Sequence, residues 1–142
     1  MMRIVLLALF HVLVALQCSG QKGTPSSTAT VGEEANNAIP DMTPQVLVSQ
    51  LDRPGVHVYD CNEADLYAEM HVPGAVLIVY DQITVDQLPA DRNATLVFYC
   101  YSPECPASHT AAMTARSLGY PNAHYMLAGI IGWQDAGMRT EP

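Results

Sequence analysis

Residues 96–120 read LVFYCYSPECPASHTAAMTARSLGY, and this stretch decides the fold. Leu96 to Tyr99 is a run of β-forming residues without polar alternation, the pattern of a strand buried on both faces. Cys100 follows at once and opens a loop, and an alanine-rich helical segment begins near Ser108. That segment runs to Leu118 and is stopped by Gly119, with Pro121 beyond. Strand, loop and helix in this order bring a cysteine to a place where loop and first-turn amides, with the helix dipole, favour an anion. A thiolate is the form that attacks sulfur. Cys100 is therefore expected to stand exposed at the mouth of a ring of inward-facing N–H groups. The plainer alternative is a buried apolar cysteine that merely ends a strand.

On either side of this stretch, Val56–Tyr59 and Val76–Tyr80 are further runs rich in β-formers, and Ala123–Leu127 supplies a last one. Between them lie helical candidates. Thr43 before Pro44 is a good N-cap with proline at the first helical position, and Val46, Leu47 and Leu51 give a stripe for a helix of about ten residues. Pro54-Gly55 ends it. Glu63–Glu69, Val85–Leu88 and Ile130–Ala136 complete the set. Strands alternating with helices imply an α/β three-layer sandwich, a mainly parallel sheet flanked by helices. Function in such sheets gathers at the carboxyl ends of the strands.

The N-terminus has a different character. Arg3 precedes an apolar run from Ile4 to Leu16, too short to span a bilayer comfortably and typical of a secretory signal, so residues 1–20 are set apart as an export segment. Cleavage is expected after Gly20, or before Cys18 if the chain is a bacterial lipoprotein, in which case a lipid on Cys18 is the one membrane attachment. Residues 21–40 lack periodic apolar positions and aromatics and read as a flexible linker. The folded domain is then 41–142. An exported protein follows, periplasmic or secreted. The formal charge of −8 becomes −9 once Arg3 is removed, and an acidic domain of this kind argues against nucleic acid as a partner. One of the four cysteines lies in the export segment, and the other three are too few for a disulfide-stapled mini-domain.

Four landmarks carry a family resemblance. They are Val58-Tyr59-Asp60-Cys61-Asn62, Met70-His71-Val72-Pro73-Gly74-Ala75, Phe98-Tyr99-Cys100, and Ala128-Gly129-Ile130-Ile131-Gly132-Trp133 ahead of Ala136-Gly137. Their order and content over residues 43–138 resemble the rhodanese-like domain family, in a single-domain form with a Cys-x4-Cys loop. The resemblance implies a five-stranded parallel sheet and transfer of sulfane sulfur through a persulfide on Cys100. It implies small-molecule partners, a sulfur donor and a thiol acceptor, with a partner protein as a further option, and no cofactor. Asn62 stands where the family often has arginine, and Met70 replaces the usual glycine. The loop is longer than the common one and lacks its usual arginine or lysine.

Within the loop, Tyr101, Ser102, Pro103, Glu104, Pro106, Ala107, Ser108 and His109 are the candidate substrate-binding residues, with the amides of residues 101–107 stabilising the anion. No Lys or Arg occurs between Arg92 and Arg116, and Glu104 adds a negative charge. A dianionic donor such as thiosulfate would find only backbone amides and His109, so weak turnover of thiosulfate is expected. Phosphatase chemistry on such a loop needs an arginine, and none is there. Cys105 divides the readings. If it reaches Cys100 it can attack a persulfide and release sulfide, or cycle with Cys100 as a thiol-disulfide oxidoreductase; otherwise it is loop filling. A third reading is a catalytically idle binding module, with copper(I) on Cys100, Cys105, His109 and Met113 as one version. Asp60 and His71 are expected to be structural support, Asp60 ordering loop amides and His71 holding the Pro-Gly turn. Cys61 is adjacent, and its pairing with Cys100 stays open.

Overall fold

The computed structural model describes residues 38–142. The export segment, Cys18 and nearly all of the linker lie outside the described residues. Among the described residues nine elements follow one another in the pattern the sequence sets up: α1 (Pro44–Val48), β1 (Val56–Asp60), α2 (Ala64–Glu69), β2 (Val76–Leu77), a 3-10 turn (Val85–Gln87), β3 (Thr95–Tyr99), α3 (Ala107–Ser117), β4 (Ala123–Met126) and α4 (Gly129–Asp135).

The strand pairings are all parallel and the order across the sheet is β2-β1-β3-β4. A one-residue parallel bridge between Asp41 and Tyr125 extends it beyond β4. There the Met42 N–H donates to the Tyr125 carbonyl at 2.8 Å, and the Tyr125 N–H donates to Pro40 at 3.2 Å. This is the fifth position of the sheet, held by a segment too short to count as a strand. Ile39 is buried in the core, so the packed unit takes in the last residues of the linker.

β3 is buried throughout most of its length and its side chains alternate between two cores, as a central strand requires. Leu96, Phe98 and Cys100 pack with Tyr59 and Cys61 against Ala107, Ala111, Ala112 and Ala115 of α3. Val97 and Tyr99 face the other way with Val58 and Met126, against Leu47, Ile130 and Trp133. Each large side chain taken from water here contributes about 1.5–3 kcal/mol. The alanine stripe lets α3 lie close on the sheet.

Two elements are shorter than their sequence patterns suggest. α1 has five residues and buries only Pro44 and Leu47; the Ser49 hydroxyl donates to the Val46 carbonyl at 2.7 Å and helps end it. β2 pairs only as far as Leu77, opposite Asp60. β1 itself ends at Asp60, so beyond the Ile78 N–H, which still reaches the Asp60 carbonyl at 2.9 Å, there is no strand left to pair with.

Candidate active site

β1 and β3 end side by side in register, Asp60 opposite Tyr99, and so deliver Asp60-Cys61 and Tyr99-Cys100 to the same edge. The loop after β3 is closed on itself. Cys100 and Cys105 form a disulfide with their Cα atoms 6.2 Å apart. This corrects the expectation of an exposed thiolate: Cys100 is only 5% exposed and its sulfur is bonded to Cys105, which is itself half-buried against the α3 core. The loop folds back far enough to bring the two sulfurs into bonding contact, and Cys100 packs in the core cluster with Ala107 and Ala111 of α3.

The loop amides are fewer than seven. Pro103 and Pro106 have no N–H, and the Cys105 N–H donates to the Ser102 carbonyl at 3.0 Å. Glu104 accepts from its own amide and, at 2.6 Å, from the Ser102 hydroxyl; these bonds hold its carboxyl below the usual range, the hydroxyl contributing most. The amides of Tyr101, Ser102 and Ala107 have no acceptor among the described residues. They are joined by those of Ser108 and His109 in the first turn of α3, where helix geometry leaves the first N–H groups unpaired. Ser108 is buried, while Tyr101, Pro103, Glu104, Pro106 and His109 are exposed. The His109 ring stands edge-on to Tyr125 at 5.1 Å and Met113 is 55% exposed. Among the described residues no group of three or more His, Cys, Asp or Glu is arranged to hold a metal ion.

Gly129 fixes where the loop begins, a role its sequence alone does not announce. The first turn of α4 docks on the loop: the Ile130 N–H donates to the Cys100 carbonyl at 2.9 Å and the Ile131 N–H to that of Tyr101 at 3.1 Å. Gly129 adopts φ +65°, and a Cβ there would lie 2.4 Å from the Tyr101 carbonyl oxygen and 2.7 Å from the Ser102 nitrogen. Only a residue without a side chain permits that approach.

Asp60 is fully buried and takes its partners from the strand ends rather than from the cysteine loop. Its Oδ1 accepts from the Asn62 N–H at 2.7 Å, and its Oδ2 from the Tyr99 hydroxyl at 2.6 Å. Tyr99 in turn accepts from the Val72 N–H at 3.0 Å. Burial pushes the Asp60 carboxyl above its ordinary value against the pull of these bonds and of His71. His71 Nδ1 lies 2.8 Å from the Tyr67 carbonyl and its ring stacks on Tyr67 at 4.1 Å. Its backbone pairs with Glu141, whose carboxylate also accepts from Gly74 at 2.8 Å. The Glu141 carboxylate, not His71, holds Gly74 of the turn. His71 packs on Tyr67, whose hydroxyl donates to the Ala75 carbonyl at 2.8 Å, and neither Tyr99 nor Glu141 is marked as a partner by its residue type.

The sequence pattern of the family described as Rhodanese-like domain matches residues 43–136. The chain belongs to that family. An uncharacterized protein of Synechocystis sp. is 25% identical over 99 residues, 70% of this chain and 54% of that relative, so the chain spans about half the length of this curated relative. Among solved structures, the BH2092 protein from Bacillus halodurans superposes with a TM-score of 0.66 at 24% identity, covering 72% of this chain and 76% of that one. Thiosulfate sulfurtransferase from Pseudomonas aeruginosa gives 0.64 at 24%, over 73% of this chain and 19% of that chain. SseA from Escherichia coli, a 3-mercaptopyruvate sulfotransferase, gives 0.61 at 17%, over 73% and 50%. These likenesses establish the fold.

Proposed function

We propose that this is an exported sulfurtransferase that carries sulfane sulfur as a persulfide on Cys100, with Cys105 as the resolving thiol. The observation that carries the reading is the Cys100–Cys105 disulfide: the second cysteine reaches the first. In the reduced protein the Cys100 thiolate attacks the sulfane sulfur of a donor, the donor's own sulfur bond breaks, and Cys100 holds the transferred atom. An acceptor thiolate can take that atom and regenerate the Cys100 thiolate. Alternatively the Cys105 thiolate attacks Cys100 Sγ, hydrosulfide leaves, and the disulfide forms. An external dithiol then resets the pair. The unpaired first-turn amides of α3 and those of Tyr101 and Ser102 supply the positive end of the site.

The same disulfide favours a second reading, a thiol-disulfide oxidoreductase using Cys100 and Cys105 without sulfur transfer. Mass spectrometry separates the two. In the variant Cys61→Ala, Cys105→Ser, Cys100 is the one thiol among the described residues. Incubated with polysulfide after reduction, it is expected to gain a sulfur on Cys100, and the wild type to end as the disulfide. A Cys100 that takes no sulfur from any sulfane donor, while the wild-type pair still reduces and reoxidises, would leave only the redox reading.

The charge of the loop sets the donor. Glu104 is exposed and ionised, and no cation stands between Arg92 and Arg116. Glu104→Arg is expected to raise the rate with thiosulfate by about tenfold at low salt, an effect that falls as ionic strength rises. Rates with an uncharged donor should hardly change. Equal gains with both donors would show that charge is not the limit.

A further inference from the structure

Cys61 is the third cysteine of the domain and the proposed sulfur chemistry does not use it. It is buried and carries a free thiol. β1 and β3 pair in register from Val56 opposite Thr95 to Asp60 opposite Tyr99, and the Cys61 N–H donates to the Tyr99 carbonyl at 2.8 Å. One further step of that ladder sets Cys61 beside Cys100. Neighbouring strands run about 4.8 Å apart, inside the Cα separation of about 4.4–6.8 Å that a disulfide spans. Side chains alternate along both strands, and Cys61 and Cys100 fall on the same face, in one core cluster with Cys105 packed against it. A groove lined by Cys61, Asn62, Leu77, Ile78 and Tyr80 opens beside the residue.

We propose that Cys61 completes a three-sulfur relay, exchanging onto Cys100 so that a Cys61–Cys100 disulfide forms and Cys105 is released as a free thiol. Cys61 gives up its proton and its thiolate attacks Cys100 Sγ. The Cys100–Cys105 bond breaks, and Cys105 leaves with the electron pair and takes up a proton. No oxidant or reductant is consumed. Cys100–Cys105 is the pair joined in the structure. Burial and the neighbouring Asp60 charge push the Cys61 thiol up, which lowers its thiolate fraction and makes the exchange slow. The exchange turns a closed loop into one that presents a half-buried thiol, Cys105, near the surface while Cys100 stays oxidised. It requires only that the disulfide exists, and so stands whether or not Cys100 accepts sulfane sulfur.

The test removes the competing partner. Full-length Cys105→Ser, reduced and then treated with oxidised glutathione, is expected to attach glutathione to Cys100 and lose it as Cys61 attacks. Peptide mass spectrometry should then find Cys61 linked to Cys100, and should distinguish this from any link to Cys18. With Cys61→Ala added, glutathione should stay on Cys100, circular dichroism confirming that both variants remain folded. Any outcome in which Cys61 keeps its thiol throughout the titration overturns the proposal, and it does so without bearing on the sulfane-donor experiment.

Discussion

Gly129→Ala is expected to destabilise the protein by about 3 kcal/mol and to slow reclosure of the Cys100–Cys105 disulfide after reduction. Two costs add. A residue with a Cβ at φ +65° pays about 1 kcal/mol for the left-handed conformation. The larger one is contact: the new carbon would sit 2.4 Å from the Tyr101 oxygen, 2.5 Å from its carbonyl carbon and 2.7 Å from the Ser102 nitrogen. These are backbone atoms that cannot swing aside, so either α4 or the loop must move. Movement breaks the bonds from Ile130 to Cys100 and from Ile131 to Tyr101, which set the loop's position relative to β3. Gly137→Ala is the control. Gly137 has φ +74° with nothing within 4 Å of its would-be Cβ, so it should lose only the conformational part. Urea denaturation of the two variants, with timed alkylation of the reduced cysteines, reads both effects. Equal losses at the two glycines would refute the docking argument.

The contrast between the two glycines bears on what a sequence can disclose. Apolar runs at 56–59, 96–99 and 123–127 mark strands because central parallel strands are buried on both faces, and here they lie within a residue of the observed bounds. The same signal fails at the edge of the sheet: Val76–Tyr80 is as apolar as the others, yet only Val76 and Leu77 pair, since pairing depends on where β1 stops. Cys100 and Cys105 were legible as a chemical pair from their place between strand and helix. That they are joined, and that the first is covered, depends on the path of the loop, which the spacing alone leaves open. Gly129, Tyr99 and Glu141 act through approaches between segments distant in the chain, to Tyr101, Val72 and Gly74, and nothing local marks them.

Tyr99→Phe is expected to cost about 3 kcal/mol near neutral pH, and less in acid. The hydroxyl joins two buried groups: it donates to Asp60 Oδ2 at 2.6 Å and accepts from the Val72 N–H at 3.0 Å. Removing it leaves both without that partner, and a bond to a charged group contributes about 1.5–3 kcal/mol before the orphaned amide is counted. The pH dependence follows from burial. Asp60 already has a raised pKa in the folded protein, with the Tyr99 bond among the effects that lower it. Between the ordinary carboxylate value and the folded one, the native state holds more protons than the unfolded chain, so stability falls as pH rises through that window. Without the hydroxyl the folded pKa moves further up and the fall continues to higher pH. The deficit against wild type should therefore be smallest where Asp60 is protonated in both proteins, and should grow with rising pH until it is ionised in both. Asp60→Asn removes the titrating group, so adding Tyr99→Phe to it should produce a loss that does not change across the window. Urea midpoints at a series of pH values decide the matter: a deficit for Tyr99→Phe that is flat with pH would mean that Asp60 is not held as a buried anion by this hydroxyl.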